Sequence, residues 1–256
     1  MRTLVKPRPV ELETPRPSFY VEGEPHGIPM HTAFFRLGIH LPEAFDVSMA
    51  SVDRNEEFSF ISAGCGPGSE LDSGLVLHRA NDEEGAVWAR GFDASSIAIA
   101  AAQRGHYRVN RLLHTQVDRV LADLEGFGFD TEIREPDSDD PIQKPVGVIR
   151  SAPVREGYDI GFEQRDLTEP LSLSRRPHLV LVNNLLYHME PPKALRVVRN
   201  LSWTLARGGV MSFDDHTAYV DSHRRGTLAR LMTEEFGMEP VHYNRNGHPT
   251  IFKGEE

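Results

Sequence analysis

The 256 residues, 39 % of them hydrophobic, suffice for one domain of ordinary size, or one plus an appendage, around a real core. A net charge of −10 with no basic block argues against a nucleic-acid partner, which needs clustered Lys and Arg, and no run reaches the ~20 apolar residues of a membrane span. The single cysteine, Cys65, cannot close an internal disulfide, and "MRTLVKPRPVELETPRP" lacks a signal-peptide core, so a cytoplasmic protein is expected.

Residues 1–56 read as an extended Pro- and Glu-rich arm followed by a helical lid around "HTAFFRLGIHLPEAFDVSMASV". From residue 57 onward, strands and helices alternate. "FSFIS" is an apolar strand, "SELDSGLVLHRAN" a helix and "AVWARGFD" a second strand. "SSIAIAAAQRGHY" is a helix capped by Ser95 or Ser96 and stopped near Gly105. "NRLLHTQVDRVLADLEGFG" predicts a further helix, with Leu113, Val117, Val120, Leu121 and Leu124 on one stripe. Residues 130–157 are acidic and Pro-rich and read as an insertion or long loop, with a short strand at "VGVIR". "YDIGFEQRDL" resumes as a strand, and "PHLVLVNNLLYHM" opens with a continuous apolar strand suited to a sheet buried on both faces. "PPKALRVVRNLSWTLARGG" is a helix with Pro at its start and Gly208 at its end, "VMSFDDH" a strand and "SHRRGTLARLMTEEFG" a helix. "MEPVHYNRNGHPTIFKG" predicts a hairpin turning at Asn246–Gly247. The pattern implies an α/β fold: a mostly parallel sheet with helices on both faces, closed by an antiparallel hairpin.

In such sheets, ligands lie beyond the carboxyl ends of the strands. "SAGCGPGSE" follows the first strand, and its Gly64, Gly66 and Gly68 admit a ligand against bare backbone. The spacing is GxGxG rather than the dinucleotide GxGxxG, and no GK[ST] follows. Asp93 ends the second strand 25 residues after Gly68. Its carboxylate suits a ribose diol, the favoured reading, or caps the next helix. Asp166 either accepts from an adenine amino group or solvates its loop. An adenosine without polyphosphate, carried by an acidic protein, points to S-adenosylmethionine, whose sulfonium is cationic.

At this point the sequence resembles a known family. "SAGCGPGSELDS" is similar to the cofactor motif of CheR-type chemotaxis-receptor glutamate methyltransferases, SAGCxxGEExxS: Ser62, Ala63, Gly64, Cys65, Gly68, Glu70 and Ser73 match, and Ser69 departs. Asp93 stands at the family's interval from Gly105 and Tyr107. "VNNLLYHM" resembles the RNVLIYF strand end, with Asn184 on its Asn, Asn183 in place of its Arg, and His188 where its Tyr falls beside Tyr187. "LARGGVMSF" resembles KPGG and the strand after it, and "HTAFFRL" resembles TxFFR. The resemblance implies a Rossmann-like class I methyltransferase with a seven-stranded sheet. It also implies that Gly64, Glu70, Asp93 and Asn184 line an S-adenosylmethionine site, with Thr32 and Arg36 closing over it; Ala63, Cys65, Gly66, Gly68, Ala94, Asp166 and Leu185 complete the expected cofactor site.

Methyl transfer needs nucleophile, methyl and sulfur held in line. A carboxylate acceptor needs no base but a cation to hold it, a role for Arg36. A hydroxyl acceptor needs a base, for which His188 or His216 is placed, next to Tyr187. Adjacent Asp214, Asp215 and His216 point in different directions, so no metal is expected there. Cys65 reads as loop packing rather than as a nucleophile. The expectation is methyl transfer to an oxygen of a small molecule or a protein carboxylate. The alternative is a regulatory module that binds the cofactor without turnover.

Overall fold

The computed structural model describes residues 19–20, 29–30, 40–53, 56–80, 85–110, 124–134, 146–223 and 226–255. Two short segments, Phe19–Tyr20 and Pro29–Met30, pair antiparallel. The chain then runs α1 (Leu41–Met49), β1 (Phe58–Ala63), α2 (Ser69–Ala80), β2 (Val87–Asp93), α3 (Ser96–Arg104), β3 (His106–Asn110), β4 (Asp130–Arg134), β5 (Val146–Arg150), the single turn α4 (Ala152–Arg155) and β6 (Asp159–Gln164). After β7 (Leu179–Val182) and a 3-10 turn at Leu186–His188 come α5 (Pro191–Ser202), β8 (Val210–Phe213) and α6 (Asp215–His223). The last elements are α7 (Thr227–Arg230), continued by a π turn to Glu235, and the hairpin β9 (Glu239–Tyr243) and β10 (Pro249–Lys253).

Seven strands form one sheet in the order β9-β10-β8-β7-β1-β2-β6. β10 is antiparallel to both its neighbours, and the remaining pairs within β8-β7-β1-β2-β6 are parallel. This is a Rossmann-like, doubly wound arrangement. The chain winds outward from β1 in one direction to β6 and then restarts at β7 on the other side of β1. The switch point, where a crevice opens, is therefore at the carboxyl ends of β1 and β7.

The central strands are apolar on both faces, and period-2 alternation sorts their side chains into two cores. Phe58, Phe60, Leu179 and Leu181 point to the α1–α2 side. Ile61, Ala63, Val180, Val182, Met211 and Phe213 point to the α5–α7 side, where Val197, Val198 and Leu201 of α5 meet them. Full burial of each such side chain stabilises by ~1.5–3 kcal/mol. The helix expected within a lid, α1, is layered on the sheet: Leu41, Ala44 and Phe45 are buried, and Phe45 meets Phe60 edge-on at 5.2 Å.

Several expectations are corrected. Within residues 130–157, read as an insertion or long loop with a short strand at "VGVIR", the described residues hold that strand as β5 and also β4 and α4. β5 lies between β3 and β4 in a separate antiparallel sheet. The helix predicted over 110–128 falls mostly outside the described residues. Its first residue, Asn110, ends strand β3, and residues 124–126 are helical. α5 ends at Ser202, and Gly208, at φ +69°, instead shapes the turn into β8. "DDH" starts α6 instead of ending a strand, and Gly226, at φ +63°, opens α7 after it. Three expectations stand. Ser95 caps α3 by accepting from Ala98 N at 3.3 Å, and Gly105 closes the helix at φ +59°. The C-terminal hairpin turns through Asn246–Gly247, where Asn244 Oδ1 accepts from the backbone N–H groups of Asn246 and His248 at 3.0 Å.

Candidate active site

The loop after β1 requires its glycines. Gly64, Gly66 and Gly68 all lie at positive φ, +70°, +51° and +91°, where side chains other than glycine's are strained. The loop is tied down from β2: Gly64 N and Cys65 N both donate to Phe92 O, at 2.7 and 2.9 Å. A Cβ on Gly68 would meet the Phe162 ring at 3.0 Å, and one on Gly64 would meet Leu185 at 3.0 Å. A Cβ on Gly66 would meet nothing within 4 Å. Gly66 is thus bare backbone facing open space among the described residues.

Asp93 ends β2 beside this loop. Its Oδ2 accepts from Gly66 N at 3.0 Å and its Oδ1 from Ser95 N at 2.8 Å. The cap of α3 is Ser95, so Asp93 is not needed for capping. A carboxylate offers about four lone-pair sites, and two are used here, which leaves capacity for a diol. The flanking chain follows: Arg165 N donates to Asp93 O at 2.9 Å, and Gln164 Nε2 to Ala94 O at 3.0 Å. Asp166 turns to its own loop, its Oδ1 accepting from Thr168 N at 2.9 Å and Thr168 Oγ1 at 2.7 Å. Those two donors hold its carboxyl below the usual range, and the arrangement favours the loop-solvating role weighed for it.

On the other side of the loop stands Glu70, in the first turn of α2. Ser62 Oγ donates to its Oε2 at 2.6 Å, and Asn183 Nδ2 donates to its Oε1. Asn183 is buried, and its Oδ1 has no hydrogen-bond partner among the described residues. A buried carbonyl oxygen left unpaired carries a penalty of ~1–3 kcal/mol, so it marks a place for a donor. The resemblance places Asn184 at the site; in the structure it is the preceding Asn183 whose side chain meets Glu70. Continuing the alternation of Leu179 and Leu181 one residue past β7 puts residue 183 on the side toward α2, a side that only the docked sheet defines. Asn184, at φ +55°, instead donates its N–H to Asp214 Oδ2 at 2.8 Å and accepts the Tyr187 hydroxyl at 3.4 Å.

Cys65 is buried, its thiol within 3.5 Å of Gly66 O. Burial, then the nearby Asp93 and Glu70 carboxylates, push that thiol far above its ordinary value. This agrees with a packing residue and opposes a nucleophile.

The outer wall is aromatic. Tyr187 lies 4.1 Å from His188, the rings tilted by 45°, and meets His216 edge-on at 4.4 Å. Its ring also lines an apolar cavity of about 150 Å³ among Leu186, Ala194, Leu195, Val220 and Leu228. Tyr187 thus links the crevice at Asn184 to an apolar chamber. Of the "DDH" trio, Asp214 caps α6 by accepting from Thr217 N at 2.9 Å, Asp215 meets His40 at 2.8 Å, and His216 faces Tyr187. Thr32 and Arg36 lie outside the described residues.

No family profile and no curated protein matches the chain. Among solved structures it is similar to the N-methyltransferase NodS from Bradyrhizobium japonicum WM9 in complex with S-adenosyl-L-homocysteine, at 14 % identity over 85 % of this chain and 86 % of that one, TM-score 0.46. It is also similar to CalS10, an amino pentose methyltransferase from Micromonospora echinaspora, at 13 % identity over 69 % of this chain, TM-score 0.37. A third is the glycopeptide N-methyltransferase MtfA, at 14 % identity over 68 % of this chain, TM-score 0.38. The chain spans about half the length of CalS10 and MtfA, 49 % and 48 %.

Proposed function

We propose that the chain is an S-adenosylmethionine-dependent methyltransferase acting on an oxygen of a small molecule with an apolar portion. The observation that carries the reading is the buried Asn183 Oδ1 beside Glu70, without a partner among the described residues, at one end of a glycine loop whose other end is held by Asp93. An acceptor beside a carboxylate suits an ammonium, and a carboxylate with spare lone pairs suits a diol. S-adenosylmethionine carries both groups, and Gly66 leaves room between them. The resemblance to the CheR-type motif adds support on the cofactor side.

When bound, the cofactor supplies a methyl group on a sulfonium that leaves as a neutral thioether. The chain's own residues position and exclude. Asp93 takes the ribose hydroxyls, with Ala63, Cys65, Gly68 and Ala94 around the nucleoside. Asn183 and Glu70 hold the ammonium. Leu185, packed over Gly64, keeps water from the crevice. The acceptor's apolar part fits the chamber beyond Tyr187. A hydroxyl acceptor gives up its proton to His216 or His188, which flank Tyr187. A carboxylate acceptor needs no base, and Arg36 would hold it.

Titration calorimetry with S-adenosylhomocysteine tests the cofactor half. Wild type is expected to bind, with Asp93→Asn and Asn183→Leu each weakened about 10- to 100-fold, the scale of one charge-assisted hydrogen bond. Absence of binding to wild type would end the proposal. Labelled methyl transfer into a cell extract, lost in His216→Asn or His188→Asn, tests the acceptor half.

A further inference from the structure

A second cluster lies at the same carboxyl end of the sheet but outside the crevice. His40 immediately precedes α1, Glu43 occupies that helix's first turn, and His242 stands on edge strand β9. One nitrogen of each imidazole and one oxygen of Glu43 lie within 4.8 Å of one another. We propose that His40, Glu43 and His242 form a site for a divalent transition-metal ion, of which Zn²⁺ is the type.

The geometry supports more than a stacked histidine pair. The two ring centres are 4.6 Å apart and tilted by 48°. With metal–nitrogen bonds of ~2.0–2.1 Å and roughly 1.1 Å further to each ring centre, two imidazoles on one ion stand ~4.5–5 Å apart, for angles between square and tetrahedral. The observed spacing falls in that window. Each ring is also held from outside: His40 Nε2 pairs with Asp215 Oδ1 at 2.8 Å, and His242 Nδ1 pairs with Thr250 Oγ1 at 2.8 Å. A hydrogen bond on one ring nitrogen fixes the orientation of a histidine and raises the basicity of the other nitrogen, as metal sites require. Two neutral imidazoles and one carboxylate are the donor set of Zn²⁺ and similar ions, with an open position left for water. Small rotations of the three side chains bring the donors into bonding distance. The ion would tie the start of α1 to the C-terminal hairpin.

The test uses the full chain without a histidine tag, stripped with a chelator and re-equilibrated with Zn²⁺. The expected result is one Zn²⁺ retained per chain after dialysis, with a visible d–d spectrum when Co²⁺ replaces it. His242→Gln is expected to lose about 100-fold or more in Zn²⁺ affinity. Asp215→Asn, which removes only the outer partner of His40, is expected to lose about 10- to 100-fold. Glu43→Gln lies on an exposed helical turn, so the apo melting temperature should not change, while the rise that Zn²⁺ gives wild type disappears. Failure of wild type to retain stoichiometric Zn²⁺ overturns the proposal. So does retention undiminished in both Glu43→Gln and His242→Gln, since the binding would then belong to other histidines among the chain's 12.

Discussion

Gly66 and Gly68 are two residues apart in one loop, yet their methyl substitutions should fail for different reasons. Gly66 sits at φ +51° with nothing near its missing Cβ. Gly66→Ala therefore carries only the left-handed backbone penalty, ~1–2 kcal/mol. Its methyl enters the space assigned to the cofactor, so S-adenosylhomocysteine binding by calorimetry should weaken at least about 10-fold. Gly68, at φ +91°, carries the same penalty and also drives a methyl against the Phe162 ring and Ala102, already 3.0 and 3.3 Å away. Gly68→Ala should lose ~2–4 kcal/mol in denaturant unfolding, the range of overpacking added to strain. Equal stabilities for the two variants would contradict this assignment. The third residue of interest is Cys65. With its thiol buried and its pKa raised by burial and two carboxylates, it should resist a thiol reagent at mildly alkaline pH until the chain is unfolded. Rapid stoichiometric labelling of the folded protein would contradict the burial. At this scale the sequence showed the glycines and Asp93, because a positive-φ loop and a strand-end acid leave a local pattern. It did not show Asn183, whose role depends on which face of β7 turns to α2.

Elements are joined by a network that no local pattern announces. Asp72, wholly buried on α2, accepts from Arg155 Nε at 2.7 Å and Arg155 Nη2 at 2.9 Å, and from the Tyr107 hydroxyl at 2.5 Å. Arg155 also donates to Ala102 O at 2.7 Å and lies 4.8 Å over the Phe162 ring. One guanidinium thus fastens α4 to α2, α3 and β6. Its partner in α2 lies 83 residues away, so neither periodicity nor motif could pair them. The acidic, Pro-rich composition of residues 130–157 is legible as an insertion or long loop, but the anchor at Arg155 near its end is not. Arg155→Ala leaves the buried Asp72 carboxyl without its cation, and should lose ~3–5 kcal/mol in denaturant unfolding. The double variant Asp72→Leu with Arg155→Met removes both charges and should recover a large part of that loss. A double variant no more stable than Arg155→Ala would mean that the ion pair is not the anchor. Tyr107→Phe, which deletes one hydroxyl donor to a carboxylate, should lose ~1–3 kcal/mol.

For the molecule as a whole, the strand–helix alternation and the apolar run at β7 made the doubly wound sheet legible, because a sheet buried on both faces must be apolar throughout. Strand order was not legible in the same way: it depends on where β7 docks relative to β1, a long-range choice. That choice creates the switch point and brings together Asp93, the glycine loop and Asn183. If these residues hold one ligand, binding must stabilise the entire cooperative unit, because the ligand bridges β1, β2, α2 and β7 only when all four are in place. Linkage then sets the scale. S-adenosylhomocysteine at 100 times its Kd adds ~2.7 kcal/mol. For a chain of this size each kcal/mol moves the melting temperature by ~2–4 °C, so a rise of roughly 5–10 °C is expected by calorimetric or fluorescence melting. The rise should shrink in Asp93→Asn and Gly66→Ala at the same ligand concentration, in proportion to the logarithm of their lost affinity, and stay at its wild-type size in Glu43→Gln. A wild-type melting temperature indifferent to saturating ligand would show that the crevice does not hold this nucleoside. A rise left intact in Asp93→Asn would show that the nucleoside is held elsewhere.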